Sequence, residues 1–476
     1  MYSDAAALIN GTFRSGGNRK TTAIENPATN EQTGILTLAS PADLDDALAA
    51  AQAGFRQWRS VSPWVRGEIL RKVANKLREA APRLARLLTL EQGKVLREAE
   101  AEVNAAAEVF DWVSEEGKRI YGRVVPGRTQ DRQLAVLREP IGPVAAFAPW
   151  NFPLVLPVRK VATALAAGCS VILKPSEETP GIALALAEIC FEAGIPENCL
   201  AIVFGNPPEV SEHLISSPII RKASITGSIE AGRAVATLCG KYLKRCTLEL
   251  GGHAAVGVFE DADIAIAAQK LSAAKFRNAG QVCVSPSRFF VHAKHHDEFV
   301  DRLVTYASEL SIGNGLEAAS TMGPLANRRQ LESISATVAE AVSLGAKVAC
   351  GGERVGNAGN FFAPTVLTNV VDSARVMQVE PFGPVIPVTS FVSPEEFVTR
   401  ANALSYGLAA VIFSNDLRTV RRVSRELEVG MVGVNDTAFG LPETPVCGVK
   451  DSGYGHEGGT EGLGEYTVTK FVNEVA

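Results

Sequence analysis

Between residues 144 and 204 short apolar segments and helical segments take turns, and no other feature restricts the fold of this chain as much. Val144-Ala145-Ala146-Phe147-Ala148 is followed by a helical pattern from Leu156 to Ala167, then by Ser170-Val171-Ile172-Leu173-Lys174, a second helical pattern from Gly181 to Glu192, and Leu200-Ala201-Ile202-Val203-Phe204. Strands separated by helices imply parallel βαβ units. Lys222-Ala223-Ser224-Ile225-Thr226 adds another strand and leads through Gly227-Ser228 into a helix ending near Leu238. A second α/β block begins near Gly252, with a helix from Ile264 to Asn278, a strand from Arg288 to His292, a helix to Leu310, and further elements to about Asn435. At 476 residues the chain exceeds what one hydrophobic core organises, so two large lobes with smaller appendages are expected.

Ahead of these blocks, turn formers from Ile24 to Asp43 give way to helical patterns over Asp43 to Arg59, Pro63 to Glu91 and Leu96 to Ile120. Gly127 to Glu139 alternates apolar and polar residues, the pattern of an exposed β-ribbon or partner strand, with a plain surface hairpin as the alternative.

Composition narrows the partners. Basic residues number 47 and acidic residues 52, spread along the chain for a net charge of −5, so no basic tract is offered to nucleic acid or to an anionic membrane. Small soluble molecules are the expected ligands. The start of the chain has no basic segment followed by a long apolar run, and no later run approaches the length of a membrane span. The eight cysteines form no Cys-x-x-Cys pair, which points to reduced thiols in a cytoplasm. His292, His295 and His296 have no acidic or cysteine partner completing a metal signature, so no metal is expected.

Two glycine patterns compete as phosphate cradles. Gly453-Tyr454-Gly455-His456-Glu457-Gly458 fits the dinucleotide fingerprint literally, but no apolar strand precedes it and too little chain follows for a βαβ unit, so it reads as a loop. Gly227-Ser228-x-x-x-Gly232 follows a strand and opens a helix, where backbone N–H groups and the helix dipole suit a pyrophosphate.

The chemistry gathers around Lys275-Phe276-Arg277-Asn278-Ala279-Gly280-Gln281-Val282-Cys283-Val284-Ser285, where a cysteine stands among small and amide side chains. Cys283 as a nucleophile needs a site that lowers its pKa or supplies a base, and a second group to hold an oxyanion. Asn151, in Pro149-Trp150-Asn151-Phe152-Pro153 at the end of a strand, offers an amide N–H for the oxyanion. Glu249, in the apolar Thr247-Leu248-Glu249-Leu250-Gly251-Gly252, offers a carboxylate whose burial raises its pKa toward that of a general base. Glu380-Pro381-Phe382-Gly383-Pro384 supplies a carboxylate and an aromatic ring in a rigid turn, and Lys174-Pro175-Ser176-Glu177 a cation and a carboxylate suited to ribose hydroxyls. Singly, each has a plainer reading: a packed thiol, a turn former, a helix cap or ion-pair member, a solvated loop residue. Together they are far more specific.

These stretches resemble the NAD(P)-dependent aldehyde dehydrogenase superfamily, from Ile24-Glu25-Asn26-Pro27 to Glu465-Tyr466-Thr467, with Leu-Glu-Leu-Gly-Gly and Gly-Gln-Val-Cys matching its two active-site signatures. The resemblance implies an α/β fold of two Rossmann-like parallel-sheet domains and a small β arm: a cofactor-binding domain over 1–121 and 141–251, a catalytic domain over 252–457, and an oligomerisation arm over 122–140 and 458–476, assembling a homodimer or homotetramer. It implies Cys283 as nucleophile, Glu249 as general base, and Asn151 with the Cys283 backbone N–H as oxyanion hole. Trp150, Lys174, Glu177, Gly227, Ser228, Glu380 and Phe382 become the cofactor contacts. The cofactor is NAD, with NADP possible, because the Glu177 carboxylate suits a 2′-hydroxyl and repels a 2′-phosphate.

The implied reaction is thiohemiacetal formation on Cys283, hydride transfer to nicotinamide, and hydrolysis of the resulting thioester through Glu249. Typical contributions are ~3 kcal/mol from an oxyanion donor and ~10²–10⁴-fold from a general base. Arg277, six residues before Cys283, and Arg159, eight after Asn151, resemble positions in succinate-semialdehyde and 2-oxoglutarate-semialdehyde dehydrogenases, and two guanidiniums suit a substrate carboxylate. A broad aldehyde dehydrogenase with structural arginines, and a homologue whose catalysis has lapsed, are the competing readings. Two departures from the family pattern stand out: Ser285, where some succinate-semialdehyde enzymes carry a redox-switch cysteine, and Cys447 in Pro445-Val446-Cys447-Gly448, read as a packed thiol.

Overall fold

Val144–Phe147, Val171–Lys174 and Leu200–Ile202 are strands in which every residue is buried, and the helices Val155–Ala167 and Pro180–Ala193 carry the chain between them. Continuous burial without alternation is what a parallel sheet covered on both faces requires. In this computed structural model, which describes residues 4–475, Val144 lies opposite Val171 and Val171 opposite Leu200, all in parallel.

The chain then crosses back. Lys222–Gly227 pairs in parallel with the other side of Val144–Phe147, and Arg245–Leu250 pairs in parallel with Lys222–Gly227. Val144–Phe147 is therefore the strand at which the winding reverses, and its carboxyl end opens into the crevice where such sheets take ligands. The N-terminal strands Ala5–Ile9, Thr12–Arg14, Thr21–Glu25 and Gln32–Thr37 extend the sheet beyond Leu200–Ile202, and with Gly453–Tyr454 at the opposite edge it has ten strands. Apolar clusters cover its two faces, one around Phe110, Leu165 and Phe204, the other around Phe147, Ile172 and Leu214.

A second sheet of seven strands runs Lys347–Cys350, Thr365–Thr368, Val385–Phe391, Pro286–His292, Ala254–Val258, Ala409–Phe413, Met431–Val434. Only the edge pairing of Lys347–Cys350 is antiparallel. It has its own core around Phe289, Phe299 and Phe391. A third sheet is antiparallel: Thr467–Val475 lies along Arg132–Pro140, which in turn pairs with Arg123–Pro126. The alternating stretch is thus one strand of a ribbon that begins a few residues earlier than its sequence suggests.

At the expected junction of the catalytic domain (252–457) and the arm (458–476), Gly453–Tyr454 pairs antiparallel with Arg245–Leu250, and Leu463 and Tyr466 join the core of the first sheet. Gly453 makes this return possible: at φ 113° its bare backbone presses so close to the Leu248 carbonyl that a Cβ would stand 2.0 Å from the oxygen. The helical stretch expected over Pro63 to Glu91 also divides, into Pro63–Glu79 and Ala81–Gln92, where Pro82 begins a new first turn.

Candidate active site

Three elements bring the proposed chemistry together. The strand Val144–Phe147 delivers Asn151, the strand Arg245–Leu250 delivers Glu249 at its carboxyl end, and the helix Ile264–Phe276 delivers the loop that carries Cys283 into Pro286–His292. That helix stops before Arg277, and Asn278 and Ala279 both take the left-handed conformation at φ 51°. Two successive non-glycine residues in that region are costly, and such geometry persists where surrounding contacts over-determine it. Here they do: the Asn278 backbone N–H donates to both Glu98 carboxylate oxygens at 3.1 Å, and the Gln281 side chain donates to Asn278 O at 3.0 Å and accepts from Ala326 N at 2.9 Å.

Cys283 and Glu249 share the walls of a cleft of about 500 Å³ with Arg159, Arg277, Phe152 and Phe439. The half-buried Cys283 has its thiol pushed up to about 12, by burial first and by the nearby charges of Glu380 and Glu249 second. In this environment the thiol needs a base to become a thiolate. Glu249 is 5% exposed, and neither carboxylate oxygen has a hydrogen-bond partner. Burial, followed by the neighbouring charge of Glu457, raises it well above the ordinary carboxylate value. This is the environment that converts a weak carboxylate base into an effective one near neutrality.

Asn151, 3% exposed, donates through Nδ2 to the carbonyl oxygen of Gln281 at 3.1 Å, two residues before the nucleophile. One amide hydrogen is thereby engaged, and the second remains for an oxyanion. Arg159, in the apolar helix Val155–Ala167, donates to the Gly440 carbonyl and keeps Nη1 without a partner, while Arg277 is exposed with its guanidinium 5.4 Å from the centre of the Phe152 ring.

The remaining residues singled out from the sequence form a second group outside that cleft. Lys222–Gly227 and Val171–Lys174 flank the switch strand on opposite sides. Ser228 caps the helix Ile229–Lys241 by accepting from Ala231 N, which leaves first-turn N–H groups open beside Gly227. Lys174 Nζ lies 2.7 Å from Glu177 Oε1, which also accepts from Gly205 N at 3.0 Å, so Oε2 stays free. Trp150 and Phe382 meet edge to face at 5.5 Å. Burial lifts Glu380 to about 8 and drops its neighbour Lys275 to about 7. A Cβ at Gly251 would stand 2.6 Å from Glu380 Oε2, so any larger residue there would push that carboxylate aside. Open helix amides, a cation and its partner carboxylate with a free oxygen, all at carboxyl ends of parallel strands about a switch point, fit a dinucleotide in charge and in hydrogen-bonding capacity. Among the described residues no cluster of His, Cys, Asp and Glu could hold a metal ion.

Two buried ion pairs beside the cleft escaped the sequence reading. Lys160 pairs with Glu457, inside the glycine-rich stretch read as a plain loop, and Lys94 pairs with Glu102 at 2.6 Å. Lysines interrupting apolar or glycine-rich runs were the available signal, but their partners lie far away in sequence. Ser285 is buried, with its hydroxyl donating to Pro286 O, and the Cys447 thiol turns to the carbonyl of Gly430 at 3.6 Å.

A profile of the Aldehyde dehydrogenase family matches residues 13–472. The chain is 44% identical over 476 residues to 4-(hydroxymethyl)benzenesulfonate dehydrogenase TsaD1 of Comamonas testosteroni, covering 100% of this chain and 99% of the relative. It is 41% identical to succinate-semialdehyde dehydrogenase [NADP(+)] GabD of Escherichia coli, covering 98% and 97%. The crystal structure of succinate-semialdehyde dehydrogenase from Burkholderia pseudomallei superposes with a TM-score of 0.97 at 40% identity, over 99% of this chain and 98% of that one. A cysteine with an unpartnered buried carboxylate in one cleft, a dinucleotide-compatible crevice beside it, and full-length kinship place this chain in the aldehyde dehydrogenase family.

Proposed function

We propose that the protein oxidises an aldehyde bearing a distal carboxylate, such as succinate semialdehyde or 2-oxoglutarate semialdehyde, to the corresponding acid with NAD(P). One observation carries the substrate class: Arg159 and Arg277 line the same cleft as Cys283 and Glu249. Two guanidiniums beside a nucleophile suit an anionic tail, and GabD acts on such a semialdehyde. TsaD1 acts on a sulfonate, which presents the same charge to a guanidinium, so a sulfonated aldehyde is the second reading.

In the reaction, Glu249 takes the Cys283 proton and the sulfur attacks the aldehyde carbon. The oxygen becomes an oxyanion, received by the free Asn151 amide hydrogen and the Cys283 backbone N–H. Lys174, Glu177, Gly227, Ser228, Trp150, Glu380 and Phe382 would hold NAD(P), which would supply the two-electron acceptor needed to oxidise the Cys283 adduct to a thioester. Glu249, having released that proton to solvent, then draws a proton from water, which attacks the thioester carbon; the C–S bond breaks to release the acid, and the sulfur takes the proton from Glu249 to restore the thiol. Glu177 favours NAD through its carboxylate, whereas Lys174 beside it admits a 2′-phosphate.

The antiparallel ribbon is the surface we assign to assembly of a homodimer or homotetramer, since Val124, Leu137 and Phe471 stand exposed on it. No helix of the described residues is long and apolar enough to cross a membrane, and the eight cysteines are unpaired, which supports a cytoplasmic enzyme. Formation of NADH and NADPH is measured with succinate, glutarate and 2-oxoglutarate semialdehydes, a sulfonated aldehyde and uncharged aldehydes of equal length. Higher kcat/KM for the anionic set is expected. Equal values across the set would favour a broad aldehyde dehydrogenase, and no turnover of any would favour lapsed catalysis.

A further inference from the structure

The buried pair Lys94 and Glu102 touches neither the thiol nor the base, yet every polar atom of it is spent on the turn that carries Asn151. Lys94 follows the helix Ala81–Gln92, and its ammonium donates to Glu102 Oε2 at 2.6 Å and to the Asn151 carbonyl oxygen at 2.9 Å, while lying 4.1 Å from the centre of the Phe152 ring. Its three hydrogens are thus matched by three acceptors, two oxygens and one aromatic face. Glu102, on the helix Leu96–Glu116, accepts at Oε1 from Leu154 N at 2.9 Å and Val155 N at 3.1 Å. These are N–H groups at the start of Val155–Ala167, whose N-cap, Leu154, has no side-chain acceptor of its own. Asn278 Nδ2 adds a second donor to the Asn151 carbonyl at 3.0 Å.

Side-chain exposure is 0% for both members of the pair. Two ions so deep in the protein are a poor means of gaining stability, because desolvation offsets their attraction, and an apolar pair of similar volume would hold the fold as well. What ions provide is direction. Charge-assisted hydrogen bonds fix the Asn151 carbonyl at one end of the turn and the Leu154 and Val155 amides at the other, so the side chain between them has one orientation. We propose that Lys94 and Glu102 are positioning residues for the oxyanion donor, gripping the 151–155 turn at both ends so that the Asn151 amide faces the carbonyl oxygen attacked by Cys283. This rests on the reading of Asn151 as oxyanion donor and Cys283 as nucleophile.

Two reactions of the same thiol separate aim from general structure. Acylation by 4-nitrophenyl acetate passes through a tetrahedral oxyanion before the C–O bond breaks and 4-nitrophenolate leaves. Alkylation by iodoacetamide displaces iodide at a saturated carbon and forms no oxyanion. Both rates are followed in the full-length enzyme for wild type, Asn151→Ala, Lys94→Met and the combination of the last two, with Cys283→Ala as the silent control. Lys94→Met is expected to slow acylation about tenfold or more while leaving alkylation within about twofold, as misplacement of a preorganised donor does. In the combined variant acylation should be no slower than in Asn151→Ala alone, since a donor that is gone cannot be misaimed. Should breaking the pair prevent folding, Lys94→Met with Glu102→Gln removes both charges together, leaves no lone buried ion, and is expected to show the same split between the two reactions. Wild-type acylation in the Lys94 variants, equal loss of both reactions, or full additivity with Asn151→Ala would overturn the proposal. If Asn151→Ala itself acylates at the wild-type rate, the oxyanion assignment fails and takes the positioning role with it. That outcome is read from a different variant and is distinct from failure at Lys94.

Discussion

The guanidinium of Arg159 donates to the carbonyl oxygen of Gly440, 281 residues further along the chain, and so ties the wall of the cleft to the loop that closes it. Its Nη1 stays buried without a partner; burial lowers its pKa, and the nearby charges of Glu457 and Glu249 act against that. The two arginines therefore differ in kind: Arg159 is built into the cleft, whereas Arg277 is exposed and held only by the face of Phe152.

That difference sets the first prediction. Arg277→Ala should raise KM for succinate semialdehyde about ten- to hundredfold, the usual worth of a charge-assisted hydrogen bond, and leave an uncharged aldehyde of equal length within about twofold. Arg159→Ala should likewise raise KM for succinate semialdehyde and, in addition, lower kcat for both substrates, because the Gly440 loop loses its anchor. Steady-state kinetics on the two substrates checks both statements, and equal KM changes at Arg277 would contradict its role in substrate selection.

The proposed role of Glu249 as base in both halves of the reaction sets the second prediction. Glu249→Gln should slow the burst of NADH, because Cys283 loses the base that takes its proton, and should slow steady-state turnover further, by ~10²–10⁴-fold in all. The burst amplitude, measured by stopped flow, should equal the concentration of active sites.

The same carboxylate predicts a pH profile. Burial and the charge of Glu457 raise the pKa of Glu249, so its basic form is scarce at low pH and the hydrolytic rate climbs as pH rises through that elevated value. Glu457→Gln removes a neighbouring negative charge and leaves Lys160 without its partner, and both changes favour ionised Glu249. The rising limb of kcat against pH should therefore move to lower pH in that variant. A shift upward would contradict the assignment of Glu457 as the perturbing charge.

Cofactor choice should turn on Glu177, whose Oε1 already serves Lys174 and Gly205. Glu177→Gln removes the charge that repels a 2′-phosphate and loosens Lys174. The ratio of kcat/KM for NADP to that for NAD should rise about tenfold, equivalent to ~1.4 kcal/mol.

Assembly should depend on the ribbon. Phe471→Glu places a charge on an apolar strand face beside Val136, its partner across the pair Thr467–Val475 and Arg132–Pro140. Sedimentation velocity should show a smaller species than wild type, with unchanged far-ultraviolet circular dichroism, if the ribbon is the contact between copies.

Much of this was legible along the chain because it is local. Each buried strand announces itself as a short apolar run, each crossover as a helical period between two such runs, and Cys283, Glu249 and Asn151 stand in stretches whose residue types suit their chemistry. The sequence by itself therefore determined the parallel βαβ units and pointed to Cys283, Glu249 and Asn151 as candidate reacting groups, whereas the reversal at Val144–Phe147 emerged only from the strand pairing. What it could not carry is any quantity set by neighbours distant in sequence. The thiol of Cys283 is pushed up to about 12 because the fold buries it near Glu380 and Glu249, not because of anything beside it in the chain. Glu457 becomes a perturbing charge only because Gly453–Tyr454 returns to the first sheet, a pairing that needs a bare backbone against Leu248. Arg159 is anchored, and the Asn151 turn gripped by Lys94 and Glu102, through contacts spanning tens to hundreds of residues. Burial, charge proximity and hydrogen-bond direction are properties of packing, and only the tertiary structure decided them.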